Sequence, residues 1–314
     1  MKSYEVEASF LGSDACRKLR DAGVRVPRAY HAELRPQAAD PVLSSFCLVL
    51  EDFSEDEGWR QAGLLDGREI RSSLSTLARF HAHFWGGEEL QYVWPSGCYF
   101  QPSMQPASQF TELGKEYRRH VSRFGTEFAR ELQDVTNVEG VGDRLARVAK
   151  AVASDAHPFD VEAGASAEKK AKASKFRTLI HGDPKTANVF LREGEAALID
   201  MQWTGWGLPG TEIGHHIAAS ASPDALEEES ALLDHYLAQL NEAGGRTLMT
   251  REELQSQYEV GLLDTARVAF GYQWQRASFD GVDEAKSLNR NAYNKNLKCA
   301  AWLVRRCDEL LAED

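Results

Sequence analysis

Residues 176–203, FRTLIHGDPKTANVFLREGEAALIDMQW, alternate short apolar runs with polar turns. FRTLI, NVFL and AALID have the length and the aliphatic content of short, buried β-strands. HGDPKTA contains Gly and Pro and predicts a loop, and REGE predicts a tight turn. We therefore expect a strand, a loop and two further strands, of which the last two form a hairpin.

Four polar residues in this stretch are candidates for chemistry. His181, Asp183 and Asn188 form the pattern H-x-D-x-x-x-x-N, and Asp200 follows at the end of the last strand. The hairpin would bring the loop residues beside Asp200, although 17 residues separate the two aspartates. Phosphoryl transfer from Mg-ATP needs a carboxylate to accept or orient the proton of the attacking hydroxyl. It also needs an amide oxygen and a second carboxylate to hold Mg²⁺.

Several segments also resemble a known group of proteins. HGDPKTANVFL and LIDMQW strongly resemble the catalytic and metal-binding segments of aminoglycoside phosphotransferases, choline kinases and ecdysteroid kinase-like proteins, which are relatives of protein kinases. LARFHAHFWGG, ARVAFGYQW, SYEVEASFL and LVLEDF resemble further segments of the ecdysteroid kinase-like branch. The resemblance spans nearly the whole chain and places it closest to that branch.

The resemblance implies a role for each polar residue of the stretch. Asp183 is similar to the catalytic base, and His181 to the histidine that positions the catalytic loop. Lys185 occupies the place of a lysine near the transferred phosphate. Asn188 and Asp200 are similar to the ligands of Mg²⁺. The cofactors implied are ATP and Mg²⁺.

The resemblance also implies nucleotide contacts near the N-terminus. Glu7 corresponds to the glutamate that pairs with a nucleotide-binding lysine, and Glu51 and Asp52 lie at the hinge strand that contacts adenine. Only six residues precede Glu7, which leaves no room for the phosphate-covering loop and the lysine-bearing strand. Lys2, the one upstream lysine, lies at the helix start. We therefore expect half a nucleotide pocket and weak or absent activity; a gene start placed too late is the second explanation.

The fold implied is α+β and protein-kinase-like, in two parts. Residues 1–53 would form a remnant N-lobe with a helix over 4–22 and short antiparallel strands within 24–34 and 44–53. Residues 54–314 would form a mostly helical C-lobe that holds the active site. Helical patterns cover 68–85, 223–243, 251–275 and 286–312 and much of 104–155, and the polar stretch 157–175 predicts an exposed loop or solvated helix. An open sheet edge in the N-lobe would favour self-association.

The composition limits the kinds of molecule that the protein is expected to bind and the compartment in which we expect it. The 314 residues are 43% hydrophobic and 27% charged, with a formal net charge of −12, which disfavours nucleic acid and anionic membranes. There is no apolar run long enough to span a bilayer, and the N-terminus does not resemble a signal peptide. Five cysteines without a CxxC pair predict reduced thiols and a cytoplasmic location. An acidic chain with several tryptophans is compatible with a cationic or lipophilic alcohol as substrate.

Other histidines and tryptophans have competing interpretations. For His81 and His83, within an aromatic helix, we favour packing or support over catalysis. His215 and His216 are adjacent, so on a helix they point about 100° apart and do not share one metal ion. Two tryptophans follow Asp200, at 203 and 206. They either line an acceptor pocket or pack the loop, and the sequence does not distinguish these.

Three functions compete at this point. The first is an ATP-dependent kinase that phosphorylates a hydroxyl of a small molecule, favoured by the set Asp183, Asn188 and Asp200. The second is a catalytically inactive pseudokinase that binds a ligand or a partner protein, favoured by the expected loss of phosphate-binding strands. The third, a metal-dependent hydrolase using His181 and Asp183, is weaker because only one ligand-rich cluster is visible.

Overall fold

The computed structural model of the protein describes residues 2–37 and 39–312. Helices dominate it. Their bounds are α1 Lys2–Leu11, α2 Asp14–Asp21, α3 Gly67–His83, α4 Ser108–Thr111, α5 Leu113–Arg123, α6 Gly125–Glu131, α7 Val141–Ala156, α8 Ala167–Ser174, α9 Pro209–Ser220, α10 Pro223–Leu226, α11 Glu229–Ala243, α12 Arg251–Gly271, α13 Ala292–Lys295 and α14 Leu297–Leu310.

The strands form three small antiparallel pairs. Their bounds are β1 Ala29–Arg35, β2 Ser45–Leu50, β3 Thr178–Ile180, β4 Val189–Arg192, β5 Glu195–Leu198 and β6 Gly205–Gly207. β1 pairs with β2, β3 with β6, and β4 with β5. The helical content, the short strands and the resemblance to known structures reported below identify an α+β kinase-like fold, as the sequence predicted. The predicted boundary at residue 53 stays a prediction.

The N-terminal helix is interrupted, which corrects the prediction of one helix over 4–22. Ser13 starts a new helix because its hydroxyl accepts a hydrogen bond from the backbone N–H of Cys16 at 3.1 Å. The end of α2 is as predicted, since Gly23 follows it with a φ of 88°, a conformation that glycine adopts without strain.

α1 is built into the core. Phe10 is fully buried, and its ring lies 6.3 Å from that of Phe80 on α3 and 6.2 Å from that of Phe84. The opposite side of α1 is more open: Tyr4 stacks on Phe46 of β2 at 4.4 Å, and both rings are partly exposed. This packing holds α1 against the segment that follows β5.

Two helices, α3 and α9, pack against the strands that flank the loop after β3. α9 is buried along its whole length and packs against α12, while α3 packs against α11 and β5. Capping boxes fix the starts of α3 and α12: Asp66 caps with Glu69, and Thr250 caps with Glu253. These helices form the rigid frame on which the loop after β3 is held.

Two predictions for the C-terminal half are corrected. β6 lies in a segment that the sequence predicted to be a loop. That prediction was wrong because two of the three residues of β6 are glycines, which are rare in strands. A Cβ on Gly205 would lie 2.5 Å from the carbonyl oxygen of Trp94, so close backbone approach requires glycine there. The predicted helix over 286–312 is in fact α13 and α14, since Asn296 caps a new helix by accepting from the N–H of Cys299 at 3.1 Å.

The surface shows further agreement. α8, within the polar stretch 157–175, has no buried residue, as predicted for a solvated helix. All five cysteines are free thiols. In residues 2–37 and 39–312, no helix combines the length and the apolar character needed to cross a membrane.

Candidate active site

The hairpin β4–β5 brings Asp200 next to residues 181–188, the candidate catalytic loop. Val189 pairs with Leu198, and the N–H of Ile199 donates to the carbonyl oxygen of Asn188 at 3.0 Å. Asn188 ends a short 3₁₀ turn directly before β4, and Asp200 comes two residues after β5. The register of one hairpin therefore sets both polar side chains at the same end, as the sequence predicted.

Asp183 lies at the centre of this end. Its side chain is largely buried, at 6% exposure for the residue. Lys185 donates to its carboxylate from Nζ at 2.7 Å, and the amide nitrogen of Asn188 donates to its backbone carbonyl at 2.8 Å. Burial alone would lower the pKa of Lys185, but the charges of Asp183 and Asp200 outweigh burial and raise it. Lys185 is therefore a fixed cation beside the carboxylate.

His181 holds the loop and does not face the cavity. Its Nε2 lies 2.8 Å from the carbonyl oxygen of Ile199, and its Nδ1 accepts from the N–H of Asp183 at 3.3 Å. The imidazole thus ties the start of the loop to the end of β5, in keeping with the positioning role that the sequence indicated.

Asp200 occupies an unusual backbone conformation. Its φ of 63° and ψ of 66° are left-handed, a region that few residues other than glycine adopt. Its Oδ1 is buried and has no hydrogen-bond partner in the part of the chain that the structure describes. Burial raises its pKa, the charges of His181 and Lys185 oppose this, and that of Asp183 adds to it. An orphaned carboxylate oxygen beside a second carboxylate is suited to bind a hard cation.

Glu7 reaches this site from α1. It is 8% exposed, and its Oε1 accepts from the N–H of Met201 at 3.1 Å, directly after Asp200. Burial, and then the charge of Asp200, raise the pKa of Glu7 to about 7. The structure thus places Glu7 against the segment that follows Asp200.

The two hinge residues lie elsewhere. Glu51 accepts from Arg25 at 3.0 Å and from the N–H of Arg28 at 3.1 Å, and Asp52 is exposed. Burial raises the pKa of Glu51, but its hydrogen bonds to Arg28 and Arg25 and their charges lower it overall. Neither residue lines the cavity at Asp183, and their predicted contact with adenine stays a prediction.

A buried glutamate that sequence reasoning missed anchors the loop. Glu212, on α9, accepts hydrogen bonds from the N–H groups of His181 at 3.0 Å and Gly182 at 2.6 Å. His81 of α3 approaches the same carboxylate at 2.8 Å and also contacts the hydroxyl of Tyr236. One feature of the sequence could have drawn attention to Glu212. It is the one acidic residue of α9, whose other residues are apolar or neutral in charge.

A cavity of about 470 Å³ opens at Asp183. One side carries Tyr99, Asp183, Lys185, Asp200 and Trp203. The other side comes from the segment after α12 and includes Tyr272, Gln273, Arg276, Arg290, Asn291 and Asn294. The residues of this second group lie far from the motif in the sequence, and no motif of their own marks them. The cavity is large enough for a small organic substrate next to the proposed base.

Comparisons with known proteins show the family and support the fold. A model of the ecdysteroid kinase-like family matches residues 14–247, about three quarters of the chain. The chain belongs to the ecdysteroid kinase-like family. The matched range contains the catalytic loop, Asp200 and Glu212, whereas the segment 272–294 lies beyond it.

The chain is also similar to individual proteins of known name. The chain is 31% identical over 173 residues to the methylthioribose kinase of Bacillus pumilus, which is 52% of this chain and 37% of that enzyme. It therefore spans little more than a third of the length of this curated relative. A microcompartment-associated aminopropanol kinase has the same fold, with a TM-score of 0.51, 14% identity and coverage of 96% of this chain and 79% of that one.

A choline kinase, LicA from Streptococcus pneumoniae, is also similar in structure. Its TM-score is 0.41 and its identity 14%, over 98% of this chain and 84% of that one. Of these two structures, the aminopropanol kinase is the one whose TM-score supports a shared kinase-like fold.

The open interpretations of the tryptophans are resolved in this family member. Trp203 lines the cavity, where it stacks on Trp94 at 5.7 Å and meets Tyr99 edge-on at 5.3 Å. Trp206 is buried under the guanidinium of Arg177, 3.8 Å from the ring centre. One tryptophan therefore belongs to the pocket and the other to the packing of β6.

His81, His215 and His216 are buried. His81 supports Glu212, as described above. His216 is held between the hydroxyl of Ser73, at 2.7 Å, and the carbonyl oxygen of Pro184. The ring of His215 lies 4.1 Å from that of Phe100, tilted by 31°. Within the described part of the chain, no group of three or more His, Cys, Asp or Glu side chains is arranged to hold a metal ion.

Proposed function

We propose that this protein transfers the γ-phosphoryl group of Mg-ATP to a hydroxyl group of a small molecule. The observation that carries the proposal is the convergence of Asp183 and Asp200 on one cavity, with Asn188 beside them and Oδ1 of Asp200 buried without a partner. Membership of a kinase-like phosphotransferase family supports the same reaction.

The residues divide the chemistry among them. The acceptor hydroxyl donates its proton to the carboxylate of Asp183 as its oxygen attacks the γ-phosphorus. A new O–P bond forms, the bond between the γ-phosphorus and the β,γ-bridging oxygen breaks, and ADP leaves. Lys185 is next to Asp183 and places a positive charge where the transferred group passes.

The donor set fits a divalent metal ion. The amide nitrogen of Asn188 is engaged by Asp183, so its oxygen is the atom that remains for a cation. Together with the orphaned Oδ1 of Asp200, it provides the two hard oxygen ligands that Mg²⁺ takes from proteins that bind nucleotide phosphates. When bound, Mg²⁺ neutralises the charge on those phosphates. Glu7 and Glu212 keep the two ligand-bearing segments in place.

The test is ADP release from Mg-ATP with a panel of small alcohols. We expect acceptor-dependent release by the wild-type chain and a loss of about 10²–10⁴-fold in Asp183→Asn, which keeps the shape of the side chain but cannot accept the proton. Asp56→Asn, at an exposed position, is the control and is expected to be unaffected. Equal rates in Asp183→Asn and wild type would refute the role of the base. Mg-ATP binding without release for any acceptor would favour the alternative of a pseudokinase.

A further inference from the structure

The far side of the cavity contains a connected group of side-chain amides. The Oε1 of Gln273 accepts from the hydroxyl of Tyr293 at 2.8 Å, from the amide nitrogen of Asn291 at 3.3 Å and from that of Asn294 at 3.4 Å. We call the three amide residues and the tyrosine bonded to them the amide wall. Because both asparagines direct their nitrogen atoms at Gln273, their oxygen atoms point away from it.

The two asparagine oxygens lack donors. Oδ1 of Asn291 and Oδ1 of Asn294 are buried and have no hydrogen-bond partner in residues 2–37 and 39–312, and Asn291 is only 6% exposed. Both residues line the cavity. A buried acceptor left unpaired is unfavourable, so the site is suited to a ligand that supplies donors. Hydroxyl groups are donors that a phosphoryl acceptor carries.

Positive charge lies beside the amide wall. Arg276 and Arg290 line the same cavity, and both are exposed. Among the described residues neither forms an ion pair, whereas Lys185 is already paired with Asp183. Unpaired guanidinium groups in a chain of net charge −12 attract a carboxylate or phosphate and repel a cation. They disfavour the cationic alcohol with which the composition was compatible.

The near side of the cavity supplies an apolar surface. Trp203 stacks on Trp94 with an interplanar angle of 13°, and the ring of Tyr99 meets that of Trp203 edge-on. Such a surface covers the C–H face of a carbon chain or ring whose hydroxyl groups point elsewhere. The cavity therefore combines an aromatic face, hydrogen-bond acceptors and cations.

We propose that the acceptor is a polyhydroxylated small molecule that carries an anionic group. Its hydroxyl groups donate to Oδ1 of Asn291 and Asn294, and its carboxylate or phosphate contacts Arg276 and Arg290. One further hydroxyl faces Asp183. This inference rests on the proposed function for the reaction, but the recognition of the ligand is separate from it. The amide wall and both arginines lie outside residues 14–247, so these contacts belong to the part of the chain beyond the family match.

Calorimetric titration of the full chain with matched ligands tests the proposal. The pairs are gluconate with sorbitol and glucose 6-phosphate with glucose, and choline and glucosamine serve as cations. We expect the anionic member of at least one pair to bind most tightly, and its affinity to fall with added salt because exposed charges are screened. Which pair responds distinguishes a carboxylate from a phosphate. Choline or glucosamine as the tightest ligand, or no binding of either anion up to about 10 mM, would overturn the inference.

Substitutions in the cavity test which residues contact the anionic group and which contact the hydroxyl groups of the ligand. Arg276→Gln combined with Arg290→Gln is expected to weaken the anionic ligand about tenfold and to leave its neutral partner unchanged. Asn294→Ala is expected to weaken both members of the pair. Arg246→Gln, at an exposed position outside the cavity, is the matched control. An unchanged affinity for the anion in the double arginine variant would also overturn the inference.

The two proposals fail in distinguishable ways. Arginine-dependent binding of the anionic polyol without ADP release from Mg-ATP would retain the ligand assignment and remove the kinase reaction. ADP release with choline that depends on Asp183, and none with the anionic polyols, would retain the kinase reaction and remove the ligand assignment.

Discussion

Glu212 and His81 form a fully buried pair, with Oε2 of the glutamate 2.8 Å from Nε2 of the histidine. Burial would raise the pKa of Glu212, but the hydrogen bond and charge of His81, the charge of His181 and the hydrogen bond from Gly182 lower it overall. The glutamate is therefore an anion in the core. It connects α3 and α9 to the backbone of the catalytic loop.

Glu212→Gln is expected to lower the free energy of unfolding by about 2–4 kcal/mol. The amide would place an NH₂ group where an oxygen now accepts from a backbone N–H or from His81, and it removes the charge. Urea unfolding measures the effect. The control is Glu139→Gln, which is exposed and forms no ion pair among the described residues. Equal stability of Glu212→Gln and wild type would show that the buried anion does not hold the loop.

Lys185→Gln tests the fixed cation beside Asp183. We expect turnover to fall about 10–100-fold, because a positive charge near the transferred phosphoryl group is lost. Mg-ATP affinity is expected to change less, since Asn188 and Asp200 remain. Steady-state kinetics with the best acceptor, compared with the exposed control Lys286→Gln, separates the two effects. A rate equal to that of wild type would argue against this role of Lys185.

Stability is expected to fall in mild acid because of three buried histidines. Burial is the main cause that lowers the pKa of His120, His215 and His216 to about 4 each. In the unfolded chain a histidine titrates near 6.5, so between about pH 6.5 and 4 the unfolded state binds more protons than the folded state. These three groups therefore make the free energy of unfolding rise with pH in this window, by at most about 4 kcal/mol per pH unit together, and Glu7, with its pKa raised to about 7, opposes them by at most about 1.4 kcal/mol per pH unit.

His215→Leu isolates one of these groups. Both ring nitrogens of His215 are buried without partners in the described structure, so leucine removes the titration without breaking a hydrogen bond. We expect the slope of stability against pH to fall by about a third in this window. His31→Gln, on the exposed part of β1, is the substitution control. An unaltered slope in His215→Leu would show that its proton does not oppose folding.

The β1–β2 hairpin is expected to mediate self-association. Most of the large apolar side chains that are exposed in the described structure lie on or near it: Tyr4, Tyr30, Val42, Leu43, Phe46 and Val49. Such a face next to a two-stranded sheet favours contact with another chain. Sedimentation velocity up to about 100 μM is expected to show association that Val49→Lys weakens. Val161→Lys, the same substitution at an exposed valine outside the hairpin, is the control; an equal effect of both would argue against the hairpin.

The sequence predicted the features that depend on local patterns. The strands around the catalytic loop and the convergence of Asp183 and Asp200 follow from apolar runs, turn residues and one hairpin. It did not predict β6, because glycine strands form only where a neighbouring backbone requires them. It missed the break at Ser13, although a serine followed by an aspartate is a common start of a helix.

The rest of the site depends on tertiary contacts. Glu212 reaches the catalytic loop from a helix that starts after β6, and the amide wall reaches the cavity from beyond residue 271. No spacing within either segment reveals what it faces in the folded chain. The orphaned oxygens of Asp200 and Asn291 are likewise visible only when burial is known.

Thermal unfolding with and without Mg-ATP, for wild type and Asp200→Asn, tests the central claim most directly. Asparagine tolerates the left-handed backbone at residue 200 but removes the negative charge. At about 100 times its dissociation constant, Mg-ATP is expected to stabilise the wild-type chain by roughly 2.7 kcal/mol and the variant far less. A shift that is absent up to millimolar Mg-ATP, or equal in both proteins, would contradict nucleotide binding at Asp200 and with it the proposed kinase.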